Sequence, residues 1–252
     1  MNKALIGHTG FVGSNILRGH KFEGLYNSKN IEYIQNKDYD LIICAGVPAE
    51  KWKANKEPYE DWKNIDRLIG SLEKVTAKKF ILISTIDVYP NLTGVNEDSI
   101  IDKTLLNPYG LNRRLLEEFV QERFNSTIIR LPGLFGRGLK KNFIFDMING
   151  KNLDKTHQDG VFQYYPIKRL VEDIFKIKDT KIELINLVTE PISIKEISEK
   201  VFGFEFKNNL LGDSPRYDVR TKHANKWDET NYLYNKEIIL DDLKQFVGEQ
   251  NE

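Results

Sequence analysis

Tyr109 and Arg113 stand four residues apart in the stretch Tyr109-Gly110-Leu111-Asn112-Arg113. Asn107-Pro108 just ahead of them opens a helix, because proline at the first helical position gives up no hydrogen bond. On that helix a spacing of four brings both side chains to one face. A phenol titrates near pH ~10, so acid–base work at neutral pH needs something that favours the phenolate, and a fixed cation such as Arg113 does so. Upstream, the apolar run Lys79-Phe80-Ile81-Leu82-Ile83 ends in Ser84-Thr85-Ile86-Asp87-Val88-Tyr89. Thr85 offers a hydroxyl that can hold the same substrate oxygen as Tyr109, and Asp87 a carboxylate that serves equally well as an acid or a turn former. Such a set suits proton transfer at a hydroxyl or carbonyl.

A second chemical feature lies at the start. The apolar run Ala4-Leu5-Ile6 leads into Gly7-His8-Thr9-Gly10-Phe11-Val12-Gly13 and then into Ser14-Asn15-Ile16-Leu17-Arg18, which reads as a helix. A strand, a glycine turn and a helix N-terminus together make a cradle for the pyrophosphate of a dinucleotide. The spacing is GxxGxxG, not the commoner GxGxxG, and a bare strand-to-helix turn would need similar glycines. Position after the first strand favours the dinucleotide, with residues 7 to 13 as its contacts. After the second strand come Tyr26-Asn27-Ser28-Lys29-Asn30, with no acid until Glu32. An NAD site usually places an acid there to accept from the ribose 2′-hydroxyl. Asn27, Ser28 and Lys29 suit a 2′-phosphate instead, so NADP is expected, with NAD possible.

The elements that must position these groups follow from patterning. Ala4–Ile6, Gly24–Tyr26, Leu41–Cys44, Phe80–Ile83, Thr127–Leu131 and Ile182–Val188 read as short buried strands. Between them, 61–75 carries Trp62, Ile65, Leu68, Ile69, Leu72 and Val75 as one apolar helical stripe, and Leu111, Leu115, Leu116 and Phe119 follow Pro108. This alternation predicts an α/β fold, a Rossmann-like doubly wound parallel sheet with a small C-terminal substrate lobe. The expected dinucleotide-binding domain is 1–137 plus about 180–190, and the lobe about 138–179 and 191–252. In that lobe Ser193-Ile194-Lys195-Glu196 is a capping box, and 235–247 a final amphipathic helix.

Composition narrows the class. The 252 residues carry 37 basic and 37 acidic side chains, so no global field favours nucleic acid or an anionic membrane. No apolar run approaches the ~20 residues of a membrane span, the strand at residue 4 leaves no room for a leader, and a cytoplasmic protein is expected. The single cysteine, Cys44, allows no internal disulfide and reads as a small buried side chain. The four histidines show no metal-ligand spacing; His8 serves the glycine turn, and His157 and His223 read as surface residues.

In these motifs the chain resembles the extended short-chain dehydrogenase/reductases, the NAD(P)-dependent epimerase/dehydratase family that acts on nucleotide sugars. Gly7, Gly10 and Gly13 match its glycine motif, and Gly7-His8 with Val12-Gly13-Ser14 is similar to GDP-fucose synthases. Cys44-Ala45-Gly46 resembles the turn after its third strand, Asn64 its next helix, and Thr85 with Val88-Tyr89 its Ser/Thr-x-x-Val-Tyr. Tyr109 falls on the catalytic tyrosine, and Arg130-Leu131-Pro132-Gly133-Leu134-Phe135-Gly136 on the segment after the following strand. The resemblance implies cofactor contacts from Cys44, Ala45, Gly46, Tyr109 and Arg113, and a homodimer through helices 61–75 and 108–124. It also implies a nucleotide-sugar oxidoreductase or epimerase of surface-polysaccharide synthesis. Thr85, Asn142, Lys168, Arg169 and Arg216 are the candidate substrate contacts, the cations for phosphate. Two departures stand out. Arg113 replaces the family's lysine, and Ile86-Asp87 replaces the Asp-Glu of the 4,6-dehydratases, which argues against dehydration by that route. The alternative is a catalytically impaired dinucleotide-binding sensor or scaffold of the same fold.

Overall fold

The computed structural model describes residues 1–250. Strand β1 (Lys3–Ile6) pairs in parallel with β2 (Gly24–Tyr26) on one side and β3 (Asp38–Cys44) on the other. β3 pairs in parallel with β4 (Thr76–Thr85). After an excursion through the short strand β5 (Thr93–Val95), the sheet continues with β6 (Ser126–Leu131) and ends on β10 (Leu184–Asn186), giving the order β10-β6-β4-β3-β1-β2. The winding therefore reverses between β1 and β3, where strand-to-helix connections diverge and leave a crevice at the carboxyl ends.

Helices α1 (Phe11–Gly19) and α6 (Leu170–Ile177) contact one another, as do α3 (Pro58–Leu72) and α4 (Pro108–Arg123). The short α2 (Lys51–Lys56) packs on both α3 and α4. Alternation along the strands sends Ala4, Ile6, Ile42, Cys44, Phe80, Leu82 and Ile128 into one core with Ile65, Leu72, Leu116 and Val120. Leu5, Ile43, Ile81 and Ile129, the odd members of the same strands, are fully buried as well. Both faces are thus covered, which is why the strands read as unbroken apolar runs. Local chemistry sets the helix starts. Pro58 and Pro108 occupy first-turn positions, Glu60 and Asp61 lie in the first turn of α3, and the Asn107 side chain accepts from Gly110 N at 3.0 Å.

The contacts divide the chain into two compact units. The first comprises Met1–Pro90, Ile100–Arg130 and Arg169–Ile185; the second comprises Asn91–Ser99, Leu131–Lys168 and the chain from Asn186 onward. Helix α6, which the sequence reading assigns to the smaller lobe, groups with the sheet because Leu170, Ile174 and Ile177 are buried and it packs on α1. Residues 91–99, by contrast, group with the second unit. Residues 251 and 252 of the expected lobe lie outside the described residues.

In the second unit β7 (Gly133–Phe135) pairs in parallel with β9 (Tyr164–Pro166), β8 (Val161–Phe162) runs antiparallel to β11 (Ile192–Ser193), and β12 (Asp218–Val219) joins β5. Helices α5 (Phe143–Asn149), α7 (Ile194–Phe202) and α8 (Lys236–Gly248) close a core that includes Phe135, Phe143, Ile197, Leu243 and Phe246. The capping box is present: Ser193 Oγ accepts from Glu196 N, and Ser193 N donates to the Glu196 carboxylate, each at 3.1 Å.

Candidate active site

The glycine turn is built by close approach. Gly7 has φ +85°, and a Cβ there would collide with the Ala45 carbonyl; a Cβ on Gly13 would collide with the carbonyl of Gly7. Gly7 N donates to Tyr26 O at 2.7 Å and Ala45 N to Ile6 O at 2.9 Å, so the ends of β1, β2 and β3 are tied into one rim. His8 Nδ1 lies 3.0 Å from Tyr26 O in the same rim. Gly10 is different. Its nearest would-be neighbour is Gly7 O at 3.4 Å, and beyond that the position is open. Gly10 is also the N-cap of α1, whose first turn carries no acid. The N–H groups at the head of that turn have no intrahelical acceptor. These residues fit a pyrophosphate.

Asn27, Ser28 and Lys29 lie in the turn after β2, where Asn27 Oδ1 accepts from Lys29 N at 2.8 Å and Ser28 and Lys29 are exposed. Cys44 is fully buried, and burial pushes its thiol up to about 12. Its contribution is to the core, while Ala45 and Gly46 continue into the rim.

At the carboxyl end of β4, Thr85 Oγ1 accepts from Asp87 N at 3.2 Å and donates to Asp87 Oδ2 at 3.4 Å. Thr85 comes close enough to the Tyr109 phenol to favour its charged form. Gly110 makes this approach possible, because a Cβ there would collide with the carbonyl of Asp87. The Tyr109 backbone N–H is held by Asn55 Oδ1 at 2.9 Å. Lys51 Nζ lies 2.6 Å from Asp87 Oδ1.

Arg113 shares the helix face with Tyr109, as its spacing predicts, and its guanidinium carbon lies 3.8 Å from the centroid of the ring. It is buried and forked onto Asp61, with distances of 2.5 and 2.9 Å. Pro48 O at 2.6 Å and Tyr109 O at 3.1 Å take further N–H groups of the same fork. Burial pushes the Tyr109 phenol up and Asp87 adds to this; Arg113, Thr85 and Lys51 pull the other way without overcoming it.

The structure therefore brings Thr85, Asp87, Tyr109 and Arg113 together in the first unit. Lys51, Asn55, Asp61 and Gly110 join them, and sequence reasoning missed all four. Asp61 is 52 residues from Arg113, and Lys51 is 36 from Asp87, so no local pattern couples them. Asn142, Lys168 and Arg216 belong to the second unit. Asn142 caps α5, accepting from Phe145 N at 3.1 Å and donating to Leu134 O at 2.8 Å. Lys168 is paired with Asp242 at 2.8 Å, Arg216 is exposed, and Arg169 belongs to the first unit. Among the described residues no cluster of His, Cys, Asp and Glu could hold a metal ion, and no helix is long and apolar enough to cross a membrane.

Sheet order, glycine turn and strand-end hydroxyls define a Rossmann-like α/β protein. The NAD dependent epimerase/dehydratase family matches it over residues 20–160, and the chain belongs to that family. No curated protein matches it by sequence. Among solved structures, UDP-glucose 4-epimerase of Thermotoga maritima with UDP-glucose is similar at TM-score 0.75 and 17% identity, over 100% of this chain and 99% of that one. The RMD protein of Pseudomonas aeruginosa complexed with NADPH gives 0.76 and 16%, over 98% of each chain. MoeE5 in complex with UDP-glucose and NAD gives 0.72 and 14%, over 100% and 99%.

Proposed function

We propose that this protein is an NAD(P)-dependent oxidoreductase or epimerase of a nucleotide-activated sugar, with Tyr109 as the acid/base. The observation that carries the reading is the meeting of Tyr109 with Thr85 and Asp87 at the end of β4, where Gly110 packs against the Asp87 carbonyl, on the same sheet edge as the glycine rim. A bound nicotinamide dinucleotide supplies hydride exchange at the sugar carbon. Gly10 and the head of α1 hold its pyrophosphate, and Asn27, Ser28 and Lys29 face a 2′-phosphate, which favours NADP. Thr85 orients the reacting oxygen. Tyr109, kept as a neutral phenol by burial, gives its proton to a carbonyl oxygen in the reducing direction and takes one back from a hydroxyl in the other. Asn142, Lys168, Arg169 and Arg216 remain the candidate substrate contacts. The reading includes a homodimer through α3 and α4 in the cytoplasm.

Incubation of the protein with UDP- and dTDP-sugars and either dinucleotide, followed by mass spectrometry and NMR of the sugar, tests it. Turnover that falls ~10²–10⁴-fold in Tyr109→Phe, with dinucleotide affinity retained, is the expected result. Full activity in Tyr109→Phe removes the mechanism. The fixed Arg113–Asp61 pair favours a second reading, a protein that binds the dinucleotide without turning over sugar. Tight binding with no hydride transfer to any sugar tested would select it.

A further inference from the structure

Leu5, Ile43 and Ile81 form one fully buried row across β1, β3 and β4. The next row towards the amino ends of these strands is Lys3, Leu41 and Lys79. Residues two apart share a face, so the two lysines stand on the buried face of the sheet, ~9–10 Å apart across two strand spacings. A cavity of about 800 Å³ opens here within the first unit, lined by both lysines, by Leu41, and by Phe175 near the end of α6. Five lysines and three carboxylates line it. Two of those carboxylates are taken, Asp40 by Lys78 at 2.7 Å and Asp179 by Lys178. Lys79 is half-buried and donates to Ser126 O at a long 3.4 Å. Burial pushes its ammonium down, and Glu183 and Asp179 oppose this without overcoming it. Lys3 Nζ lies 2.7 Å from His20 Nε2, and the His20 ring packs 4.5 Å from that of Phe175. Burial and Lys3 hold this imidazole below its ordinary range, so it is a neutral acceptor and brings Lys3 no counter-charge. Half-buried cations of this kind cost folding energy, and packing alone would have made the whole row apolar.

We infer that this cavity at the amino ends of β1, β3 and β4 is a second ligand site, for a small phosphorylated molecule, with Lys3 and Lys79 on the phosphate and Leu41 and Phe175 against its body. It lies at the strand ends opposite to the glycine rim, so it does not depend on the chemistry at Tyr109. Lysine suits the task, because an ammonium is a point charge on a flexible four-carbon stem. Two such stems that start on either side of Leu41 can converge on one tetrahedral anion. A phosphate carries enough charge to answer both ammoniums at once, whereas a monocarboxylate answers one. The cavity is also of the size that small-molecule sites have, and Leu41 and Phe175 give it the apolar surface such sites use.

The test reads the cavity separately from the rim. Protein labelled at leucine methyl groups and backbone nitrogen is titrated by NMR with inorganic phosphate, and separately with adenosine 5′-monophosphate. Leu41 methyls report the cavity, and the Gly10 and Gly13 amides report the glycine rim. The Leu41 resonances are expected to move and saturate with both probes, at lower concentration with the nucleotide because its body meets Leu41 and Phe175. Lys3→Met and Lys79→Met each weaken the affinity read at Leu41 about tenfold or more and leave the response at Gly10 and Gly13 unchanged. Lys79→Gln, a polar replacement, loses binding likewise. Lys63→Met, which removes an exposed charge on α3, binds as wild type does. Absence of saturable movement at Leu41 with either probe overturns the inference. So does wild-type affinity in both Lys3→Met and Lys79→Met, or an equal loss in Lys63→Met, which would make the attraction diffuse.

Discussion

The Arg113 guanidinium stacks on the ring of Tyr109, 3.8 Å from its centroid, while its forked N–H groups face away onto Asp61. The cation thus meets the π-face of the tyrosine. Planarity decides this. A guanidinium can lie flat on a ring and chelate a carboxylate at once, and an ammonium cannot. The change from the family's lysine to Arg113 therefore comes with Asp61, a buried partner that the fork requires.

Removal of one member of that pair leaves the other charged and buried. Arg113→Ala is expected to destabilise the fold by about 3–5 kcal/mol in urea unfolding. A double variant, Arg113→Met with Asp61→Asn, recovers most of that loss because no lone charge remains. Arg113→Lys keeps a charge but loses the bidentate geometry and falls between them. Equal stability of Arg113→Ala and wild type would deny the pair its structural role.

The fold was legible in the sequence because burial on both faces leaves unbroken apolar runs. Gly24–Tyr26 appears with its expected ends, and β4 extends the expected Phe80–Ile83 in both directions. Helix α3 starts at Pro58, three residues before the apolar stripe suggests, because proline and two acids make the first turn there. The Tyr109–Arg113 face was legible for the same reason, since spacing on one helix fixes it. Asp61 and Lys51 were not. Each reaches the site from another helix, through tertiary packing that no local spacing encodes.

Cofactor choice rests on the turn after β2. With Lys29 and Ser28 exposed and no acid in the turn, NADPH is expected to bind more tightly than NADH. Lys29→Ala narrows the gap, chiefly by weakening NADPH. Fluorescence titrations that give equal affinities in the wild type would reject this.

Cys44 makes a simple reporter of the core. Burial lifts its thiol from 9.0 to about 12, so at pH 8 it is protonated and shielded. A thiol reagent should label the native protein only as fast as it opens, and the unfolded chain at once. A folded pKa above the unfolded one means that the neutral thiol contributes stability in full below about 9, and that this contribution is lost as pH rises towards about 12. Rapid labelling of folded protein at pH 8 contradicts the burial.

The glycine rim separates folding from binding. Gly13→Ala puts a methyl group into the Gly7 carbonyl, backbone against backbone, so the turn itself must shift and the midpoint of thermal unfolding should drop. Gly10→Ala meets only Gly7 O at 3.4 Å, an ordinary contact, so this variant should fold and melt like wild type. Its methyl group, though, points into the open space at the head of α1, where a pyrophosphate must touch backbone N–H groups. Dinucleotide affinity measured by calorimetry is therefore expected to fall about tenfold or more, a difference of ~1.4 kcal/mol. A folded Gly10→Ala that binds NADP(H) as wild type does would place the pyrophosphate elsewhere, because a ligand seated on these N–H groups cannot share the volume with a Cβ.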